Sequence, residues 1–386
     1  MNTLADGLAR KNDNFLLLRF IAASMVIYGH APAITGHAEP VDLFIRLNWG
    51  TYSGAIAVDV FFIVSGFLVT GSFVRNPRLA DFAWARAIRI VPAYAVCLLL
   101  SAFGLGAAFT ELPLRDYFQH PDTVDYVVRN LQFDTVMQWQ LPGVFADNPK
   151  SDVVNGSIWT LPAEVRMYLL VAALGLAGAL SWRALFNVVA LSLLVLGWLY
   201  PERTPMSNPH EYLRLAALFV AGAFCFVNRD WMPLGSRLLP TLAVLTWLWR
   251  DTPVFPCLFA AAEVAFVFWF AYETRWRGFN RFGDYSYGIY LWGYPAQQML
   301  AALAGGTHNY VNALGGLLIA LALAVASWHL VEQPALRLKK LPNDIRKRWQ
   351  AGQSGAVNRS GADKSGQELT SLDLQPAPAA SAPASR

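Results

Sequence analysis

The sequence predicts an all-α integral membrane protein with about ten transmembrane helices in one bundle and both termini in the cytoplasm. Composition is the first observation behind this prediction. Hydrophobic residues make up 55% of the chain, charged residues make up only 15%, and the mean hydropathy is +0.35. A soluble domain usually holds about 25% charged residues. The second observation is a series of long apolar runs, and the third is the distribution of arginines between them.

Ten apolar runs are long enough, or nearly so, to cross a hydrocarbon core of about 30 Å, which needs roughly 17 to 25 helical residues. The N-terminal segment lacks the apolar core and the cleavage site of a signal peptide, so we expect the first run to stay in the membrane. The run at 236–250 is short and ends at Arg250 and Asp251. The predicted spans are 15–34, 54–74, 88–109, 158–180, 184–200, 212–228, 236–250, 254–272, 286–304 and 310–332.

Basic residues alternate between the connections as the positive-inside rule requires. If Arg10 and Lys11 are cytoplasmic, the connection 75–89 places four arginines on the same side. Further basic residues fall on that side at position 183 and within 229–237, 275–281 and 337–340. The other side carries fewer, and the pattern therefore predicts ten crossings with both ends inside.

One long connection, 109–157, lies on the outer side in this topology. It carries seven acidic residues, three basic residues and several aromatic residues. A loop of this length in a compact bundle is usually functional or disordered, and its aromatic content argues against disorder. We expect it to form a lid or a substrate platform.

The composition changes after Pro342. Residues 343–386 are at first basic and polar, and then rich in Ala, Pro, Ser and Gly. Such a segment has too little apolar surface to form a core. The sequence thus predicts a transmembrane domain at 1–342 and a disordered cytoplasmic tail at 343–386.

The first span carries two ionisable residues, Arg19 near its start and His30 near its end. An arginine in the hydrocarbon core costs a few kcal/mol or more, so it is a candidate functional residue. Eleven residues correspond to about 16 Å along a helix, which puts the two side chains at different depths. The alternative is that Arg19 extends to the near interface and His30 only ends the helix.

Two carboxylates are predicted to lie near His30 in the outer half of the bundle. Asp59 stands one or two turns into the second span, and Glu164 stands in the outer turns of the fourth. Histidine is the commonest general base, and a nearby carboxylate can fix its tautomer and raise its basicity. The alternative is that Asp59 and Glu164 pair with Arg166 or cap helix ends.

Arg86 and Arg89 stand three residues apart at the start of the third span, so they share one helix face. Two arginines on one face suit phosphate groups, which a guanidinium group binds through two parallel hydrogen bonds. Arginines at this place also anchor the cytoplasmic side of a membrane protein. Charge alone favours this second interpretation.

Six short motifs follow one another along the chain. Their order and spacing resemble those of the membrane-bound acyltransferase-3 family, and the resemblance extends from residue 15 to about residue 336. The motifs are Arg-x10-His at 19–30, Val-Asp-x-Phe-Phe-x-x-Ser-Gly-Phe at 58–67, Arg-x-x-Arg-Ile-x-Pro at 86–92, Trp-Thr-Leu-x-x-Glu-x-x-x-Tyr at 159–168, Ser-Tyr-Gly-Ile-Tyr-Leu-Trp at 286–292 and Val-Glu-x-Pro at 331–334.

This resemblance implies transfer of an acyl group, with acetyl the expected one, from cytoplasmic acyl-CoA to a hydroxyl of a glycan or lipid-linked saccharide. It implies a multi-pass protein of the bacterial inner membrane, surrounded by the lipid bilayer. We expect neither a metal nor a nucleic acid to take part. Gly293 stands where members of the family often have a histidine, so no second catalytic histidine is expected there, and Ala85 stands where they often have an arginine.

The resemblance also implies roles for individual residues. His30 matches the catalytic histidine, Arg19 its partner across the span, and Arg86 and Arg89 the pair that binds the phosphates of the coenzyme. In the predicted mechanism the pantetheine arm extends past Arg19, and His30, oriented by Glu164 or Asp59, takes the proton of the acceptor hydroxyl. A covalent acyl-histidine is the other possible route, and the sequence does not separate the two.

Two other functions remain open on the residues alone. Buried charges in a ten-span bundle also suit a transporter or flippase for a glycan or lipid, although we find no internal repeat of the kind many transporters have. A zinc site of His30, His37 and Glu164 is disfavoured, because the seven-residue step between the histidines does not keep one helix face.

Overall fold

The computed structural model describes residues 2–346, except for 40–41, 152, 200–208, 236 and 306–307. Regular structure in this part of the chain is helical, and two isolated β-bridges pair Thr3 with Pro233 and Thr110 with Val144. The predicted all-α class is therefore confirmed for the described residues.

The chain forms sixteen α-helices over the described residues, together with short π-helical and 3₁₀ segments. The α-helices are α1 (Leu4–Ala9), α2 (Phe15–Thr35), α3 (Leu43–Arg46), α4 (Ser53–Arg75), α5 (Leu79–Leu99), α6 (Gly106–Phe109), α7 (Leu114–Gln119), α8 (Pro121–Asn130), α9 (Leu161–Leu176), α10 (Arg183–Leu199), α11 (Pro209–Val227), α12 (Leu238–Leu248), α13 (Phe255–Glu273), α14 (Ser286–Ala304), α15 (Asn309–Ser327) and α16 (Gln333–Arg337). The π-helical segments are Leu100–Leu105 and Trp328–Glu332, and the 3₁₀ segments are Ser157–Thr160, Ala179–Ser181, Arg277–Arg281 and Leu338–Lys340.

Within the described ranges, six helical stretches are long and apolar enough to cross a membrane. They are Phe15–Thr35, Ser53–Arg75, Leu79–Phe109, Ser157–Leu176, Phe255–Glu273 and Asn309–Arg346. The helices α10, α11, α12 and α14 occupy the other four predicted positions. The chain is thus a multi-pass membrane protein, and length and composition support six of the ten predicted crossings.

The third span begins nine residues earlier than predicted, at Leu79 rather than at residue 88. Asp81 and Arg86 lower the hydropathy of this stretch, so the apolar run in the sequence starts after them. No glycine or proline interrupts residues 79–91, and the helix continues backwards almost to Pro77 because such residues favour it. Arg86 and Arg89 consequently lie on a helix of the bundle rather than in a connection.

The helix α4 lies at the centre of the bundle, where it packs against α2, α9, α11 and α13. Glycines bring it close to α11. A Cβ atom at Gly66 would lie 2.0 Å from the carbonyl oxygen of Phe219, and one at Gly222 would lie 2.1 Å from that of Ile63. Small residues permit such close helix packing in membranes. The helix α2 packs against α4 on one side and against α14 and α15 on the other, so it lies between α4 and α14.

The long connection between α6 and α9 is folded against the bundle. Tyr117 and Tyr126 are fully buried, and the Tyr117 hydroxyl donates a hydrogen bond to the carbonyl of Ala102 at 2.6 Å. The Asn148 amide donates to Oε1 of Gln298 in α14 at 2.8 Å. The prediction that aromatic residues order this connection is confirmed, and its role as a lid or platform stays a prediction.

Two compact units divide the chain, Met1–Arg337 and Leu338–Arg386. Of the second unit the structure describes residues 338–346. The predicted tail, 343–386, lies outside the described residues from residue 347 onward. Its predicted boundary at residue 342 and its disorder stay predictions.

Candidate functional site

An ionic cluster joins α2, α5 and the turn before α14. Arg19 donates a hydrogen bond from Nη1 to Oδ2 of Asp284 at 2.6 Å, and Arg89 donates from Nη2 to the same oxygen at 2.5 Å. Ser286 donates to the other oxygen, Oδ1, at 2.6 Å. Two arginines can lie among these apolar helices because they share one hydrogen-bonded counter-ion.

Asp284 stands in a tight turn at the start of α14. A Cβ atom at the preceding Gly283 would lie 2.4 Å from Nε1 of Trp328, so only glycine lets the turn approach this indole so closely. Burial alone would raise the pKa of Asp284, but the guanidinium groups of Arg19 and Arg89 outweigh it and hold this pKa well below its usual range. Asp284 is therefore a carboxylate at neutral pH.

Glu332 supplies a second carboxylate to Arg89. Its Oε2 lies 3.5 Å from Nη1 of Arg89 and has no hydrogen-bond partner, so the contact is an ion pair without a hydrogen bond. Ser327 donates to Oε1 at 3.1 Å. Glu332 is buried and ends the π-helical segment after α15, a kind of segment that often occurs at functional sites.

Arg86 differs from the other two arginines. No carboxylate of the described residues pairs with it. Its Nη2 donates to Oγ of Ser72 at a long 3.4 Å, and its Nε is buried without a partner. The guanidinium group lies 5.8 Å from the ring centre of Phe82 and 5.7 Å from that of Tyr168. Arg86 thus keeps an unused hydrogen-bond donor, which suits an anionic ligand.

The three arginines line one cavity of about 130 Å³. Glu164 and Tyr168 line it from α9, Ser65 from α4 and Tyr290 from α14. The Tyr168 hydroxyl donates to Oε1 of Glu164, and Oγ of Ser65 lies 3.5 Å from the same oxygen. Four of the six predicted site residues therefore lie together: Arg19, Arg86, Arg89 and Glu164.

His30 lies outside this cavity, towards the other end of α2. Its ring meets that of Tyr294 edge to face, with ring centres 5.1 Å apart, and its Nδ1 is buried without a hydrogen-bond partner. A Cβ atom at Gly29 would lie 2.6 Å from the backbone nitrogen of Gly54, so the start of α4 touches α2 beside His30. Tyr294 stands four residues after Tyr290, which is about one helical turn. His30 therefore lies about one turn beyond the cavity.

Asp59 belongs to a second ionic cluster, away from the cavity. It pairs with Arg214 of α11, and Arg214 also binds Glu211 at 2.9 Å. No hydrogen bond or ion pair among the described residues joins His30 to Asp59 or Glu164. The expected group of one histidine and two carboxylates is therefore divided between three places, because the packing of α4 on α11 turns Asp59 towards Arg214.

Two of the alternatives that the sequence left open are not found among the described residues. Arg166 donates to the backbone carbonyls of Pro162 and Phe133, so it pairs with neither Asp59 nor Glu164. In the part of the chain that the structure describes, no three His, Cys, Asp or Glu side chains form a group that could hold a metal ion. The zinc site is thus not formed.

Sequence reasoning missed the partners of the predicted residues, which are Asp284, Glu332, Arg214 and Glu211. A signal was present, since each is an ionisable residue within or beside an apolar run, the criterion that selected Arg19. The pairing itself could not be predicted from local patterns, because Asp59 and its partner are 155 residues apart along the chain, and Arg19 and its partner are 265 residues apart.

Comparisons with known proteins place the chain in a family of acyltransferases. Residues 12–329 match the model of a family described as an acyltransferase domain. The O-acetyl transferase of Shigella phage Sf6 is 26% identical over 335 residues, which cover 84% of this chain and 96% of that protein. Nodulation protein 10 of Rhizobium leguminosarum bv. viciae is 27% identical over 361 residues, which cover 85% of this chain and 94% of that protein. YrhL of Bacillus subtilis (strain 168), named provisionally as a peptidoglycan O-acetyltransferase, is 23% identical over 330 residues, which cover 75% and 51%. No solved structure matches the chain.

Proposed function

Because the chain belongs to the acyltransferase-3 family, we propose that it transfers an acetyl group from acetyl-CoA to a hydroxyl of a glycan or lipid-linked saccharide at the membrane. Membership of this family favours an enzyme over a transporter or flippase. The names of the Shigella phage Sf6 and Bacillus subtilis relatives support acetyl as the acyl group and oxygen as its acceptor atom. The peptidoglycan in the second name supports a saccharide acceptor.

One observation carries this proposal. A cavity lined by three guanidinium groups ends about one helical turn from a histidine with an unused, buried ring nitrogen. Guanidinium groups attract the phosphates of a coenzyme, and a histidine is the usual general base. Arg86 is the first candidate for the phosphates, since among the described residues carboxylates pair with Arg19 and Arg89 but not with Arg86, and Arg89 is the second.

The size of the cavity limits which part of the donor it can hold. About 130 Å³ is well below the roughly 300–1,000 Å³ of pockets that enclose drug-sized ligands. We therefore assign the cavity to the pantetheine arm, the thioester and the phosphates next to that arm, with the nucleoside outside it. The arm has to extend past Arg19 and cover most of the distance to His30, which is about 16 Å along α2.

The reaction is a direct transfer in its simplest form. His30 removes the proton from the acceptor hydroxyl as its oxygen attacks the thioester carbonyl carbon. The C–O bond forms, the C–S bond breaks, and the proton passes from His30 to the leaving thiolate. We assign Glu164 to the cavity, where its carboxylate is held by Tyr168, and Arg19 to the passage of the donor arm.

The proposed direction of transfer fixes the topology. Acyl-CoA is cytoplasmic, so the arginine cluster has to face the cytoplasm and His30 the opposite side. The distribution of basic residues along the chain supports ten crossings with both termini in the cytoplasm. We propose the bacterial inner membrane as its location.

A substitution of His30 tests the proposal. Removal of a general base lowers a rate by about 10²–10⁴-fold, so the His30→Ala variant should insert normally but lose acetylation of cell-surface glycans. His37→Ala is the matched control, because His37 is exposed just beyond the end of α2. Acetyl release from glycans of cells expressing each variant gives the measurement. Acetylation by His30→Ala at the level of His37→Ala would remove His30 from the reaction.

A further inference from the structure

A long groove runs beside α11, α12 and α13, separate from the arginine-lined cavity. Its volume is about 1820 Å³, well above the roughly 300–1,000 Å³ typical of pockets for small ligands. It extends along α11 from Glu211 to Cys225, which is about 21 Å of helix. Its length is therefore comparable with most of the hydrocarbon core of about 30 Å.

The two ends of the groove differ in chemistry. Towards the end of α11 the walls are apolar, with Leu4, Met232 and Leu234 among them. Towards the start of α11 three carboxyl side chains and one guanidinium group line the groove, together with a cluster of aromatic rings. The ionisable residues are Asp59, Glu211, Arg214 and Glu263, and the rings are those of Trp49, Phe255 and Phe259.

One carboxyl group of this polar end has an unused oxygen. Glu263 is 8% exposed, and its Oε1 is buried without a hydrogen-bond partner. The Glu263 carboxyl group is hydrogen-bonded to that of Asp59. Arg214 is bound to Asp59 and Glu211, so no cation of the described residues is hydrogen-bonded to Glu263. A buried acceptor without a partner is costly. Because Glu263 lines the groove, a rotation of its side chain would bring this oxygen to a ligand hydroxyl, which would remove the cost.

The polar end also lies beside the proposed base. The ring of Tyr52 lines the groove and packs against α2 at the residue before His30. A Cβ atom at Gly29 would lie 3.0 Å from Cδ2 of Tyr52. A ligand head group near Asp59 and Glu263 is thus separated from the histidine end of α2 by little more than this ring.

We propose that this groove binds the acceptor, and that the acceptor is a saccharide carried on a long apolar chain. The chain lies along the apolar walls, and the first sugar lies at the polar end. Carboxylates accept hydrogen bonds from sugar hydroxyls, and aromatic rings cover the apolar faces of a pyranose. Asp59 then serves the acceptor rather than His30. This inference rests on the proposed function, which requires an acceptor hydroxyl next to His30.

Photolabelling tests the groove without requiring turnover. The probe is a glucosyl diacylglycerol with a diazirine in its acyl chain, added to the full-length protein in phosphatidylcholine nanodiscs, and labelled peptides are mapped by mass spectrometry. We expect label on α11 and α13. Unmodified glucosyl diacylglycerol should compete, whereas extra phosphatidylcholine or soluble methyl glucoside should not. Even labelling of all lipid-facing helices, or equal competition by phosphatidylcholine, would overturn the proposal.

Two alanine substitutions provide the matched comparison. Ala260 of α13 lines the groove, whereas Ala262 on the same helix does not. Ala260→Phe should reduce labelling about tenfold, since an added ring in an occupied space has to displace part of the chain. Ala262→Phe should leave labelling unchanged. Ala217→Phe on α11 repeats the test from the opposite wall, so that misfolding of one variant does not decide the outcome.

The labelling tests the groove, the His30 substitution tests the proposed chemistry, and the two proposals can be refuted independently. If the groove is right and the proposed chemistry is wrong, His30→Ala keeps its activity while Ala260→Phe and Ala217→Phe lose the label. If the groove is wrong, neither phenylalanine changes the labelling, whatever happens to acetylation.

Discussion

Asp284→Asn is the sharpest perturbation of the arginine cluster. The side chain keeps its size but loses the charge that Arg19 and Arg89 share at 2.6 and 2.5 Å. Arg89 retains the more distant Glu332, 3.5 Å away, whereas Arg19 has no other ion pair among the described residues. The variant thus leaves the guanidinium group of Arg19 without a counter-ion and leaves Arg89 with only the more distant Glu332.

The expected loss of stability in Asp284→Asn follows from the burial of the three charged side chains. The side chains of Asp284, Arg19 and Arg89 are 13%, 21% and 17% exposed, so solvent screens the cluster little. Breaking a buried ion pair by removing one partner costs about 3–5 kcal/mol. Asparagine can still accept one hydrogen bond, so we expect a loss of about 3 kcal/mol in the free energy of unfolding, near the lower limit of this range.

A matched control is available at an exposed pair. Asp230 lies 2.7 Å from Arg183, and their side chains are 50% and 31% exposed. Exposed pairs contribute about 0–1 kcal/mol, so Asp230→Asn should change stability little. Thermal unfolding in detergent, followed by circular dichroism, compares the two variants with the wild type. An equal shift in both variants would contradict the assignment of Asp284 as the central counter-ion.

The contribution of Asp284 to stability should decrease at low pH. The pKa of Asp284 is held below its usual range by Arg19 and Arg89, so its contribution to stability is fully present above the pKa of an unfolded aspartate, about 3.9, and is lost as the pH falls through the lower, native pKa. The contribution of the Asp284 carboxylate should therefore disappear, and the stability difference between wild type and Asp284→Asn should narrow, as the pH falls below about 4. A difference that does not narrow below about pH 4 would contradict the role of the Asp284 charge in the cluster.

Two further predictions concern the donor and the topology. Arg86→Lys keeps the charge but loses the planar fork, so coenzyme A affinity in detergent should fall about tenfold, since hydrogen bonds to charged groups contribute about 1.5–3 kcal/mol; an unchanged affinity would leave Arg86 a topology anchor. In a background without Cys97, Cys225 and Cys257, a thiol reagent that does not cross membranes should label Asp134→Cys from outside the cell and leave Asn76→Cys unreacted. The reverse pattern would place the arginine cluster away from cytoplasmic acyl-CoA.

Local pattern predicted where the long apolar helices lie, but not the short helices α1, α3, α7 and α8. The runs 286–304 and 15–34 agree with α14 and α2 to within a residue, because a long apolar run without a turn signal favours one continuous helix. The start of α5 was predicted too late, since hydropathy excludes the charged turn around Arg86 even though that turn is helical. A helix boundary inferred from the position of charged residues is thus less predictable than one marked by a turn residue. Gly36, which ends α2 with a positive φ of +70°, is such a residue.

The site was predicted in its residue types but only partly in its grouping. Spacing placed Arg86 and Arg89 on one face, and both line the same cavity. The expected contact of Asp59 with His30 failed, because depth in the membrane says nothing about the direction a side chain faces around its helix. That direction is set by the glycine contacts of α4 with α11, which turn Asp59 towards Arg214. Such contacts between distant segments are absent from local sequence patterns.

We expect the ionic cluster to orient α2 as well as to stabilise the fold. Removing one partner of a buried ion pair is costly, but replacing the whole pair by apolar side chains of similar volume often costs little, so stability alone does not require an ion pair between Arg19 and Asp284. This pair fixes one end of α2 against the turn before α14, while a Cβ at Gly29 would already clash with Gly54 at the other end. The helix itself sets the rise from Arg19 to His30 at about 16 Å, and the contacts of Asp284 with Arg19 and Arg89 hold α2 against α5. We therefore expect Asp284 to position the proposed base on α2 relative to the arginines of the proposed donor site.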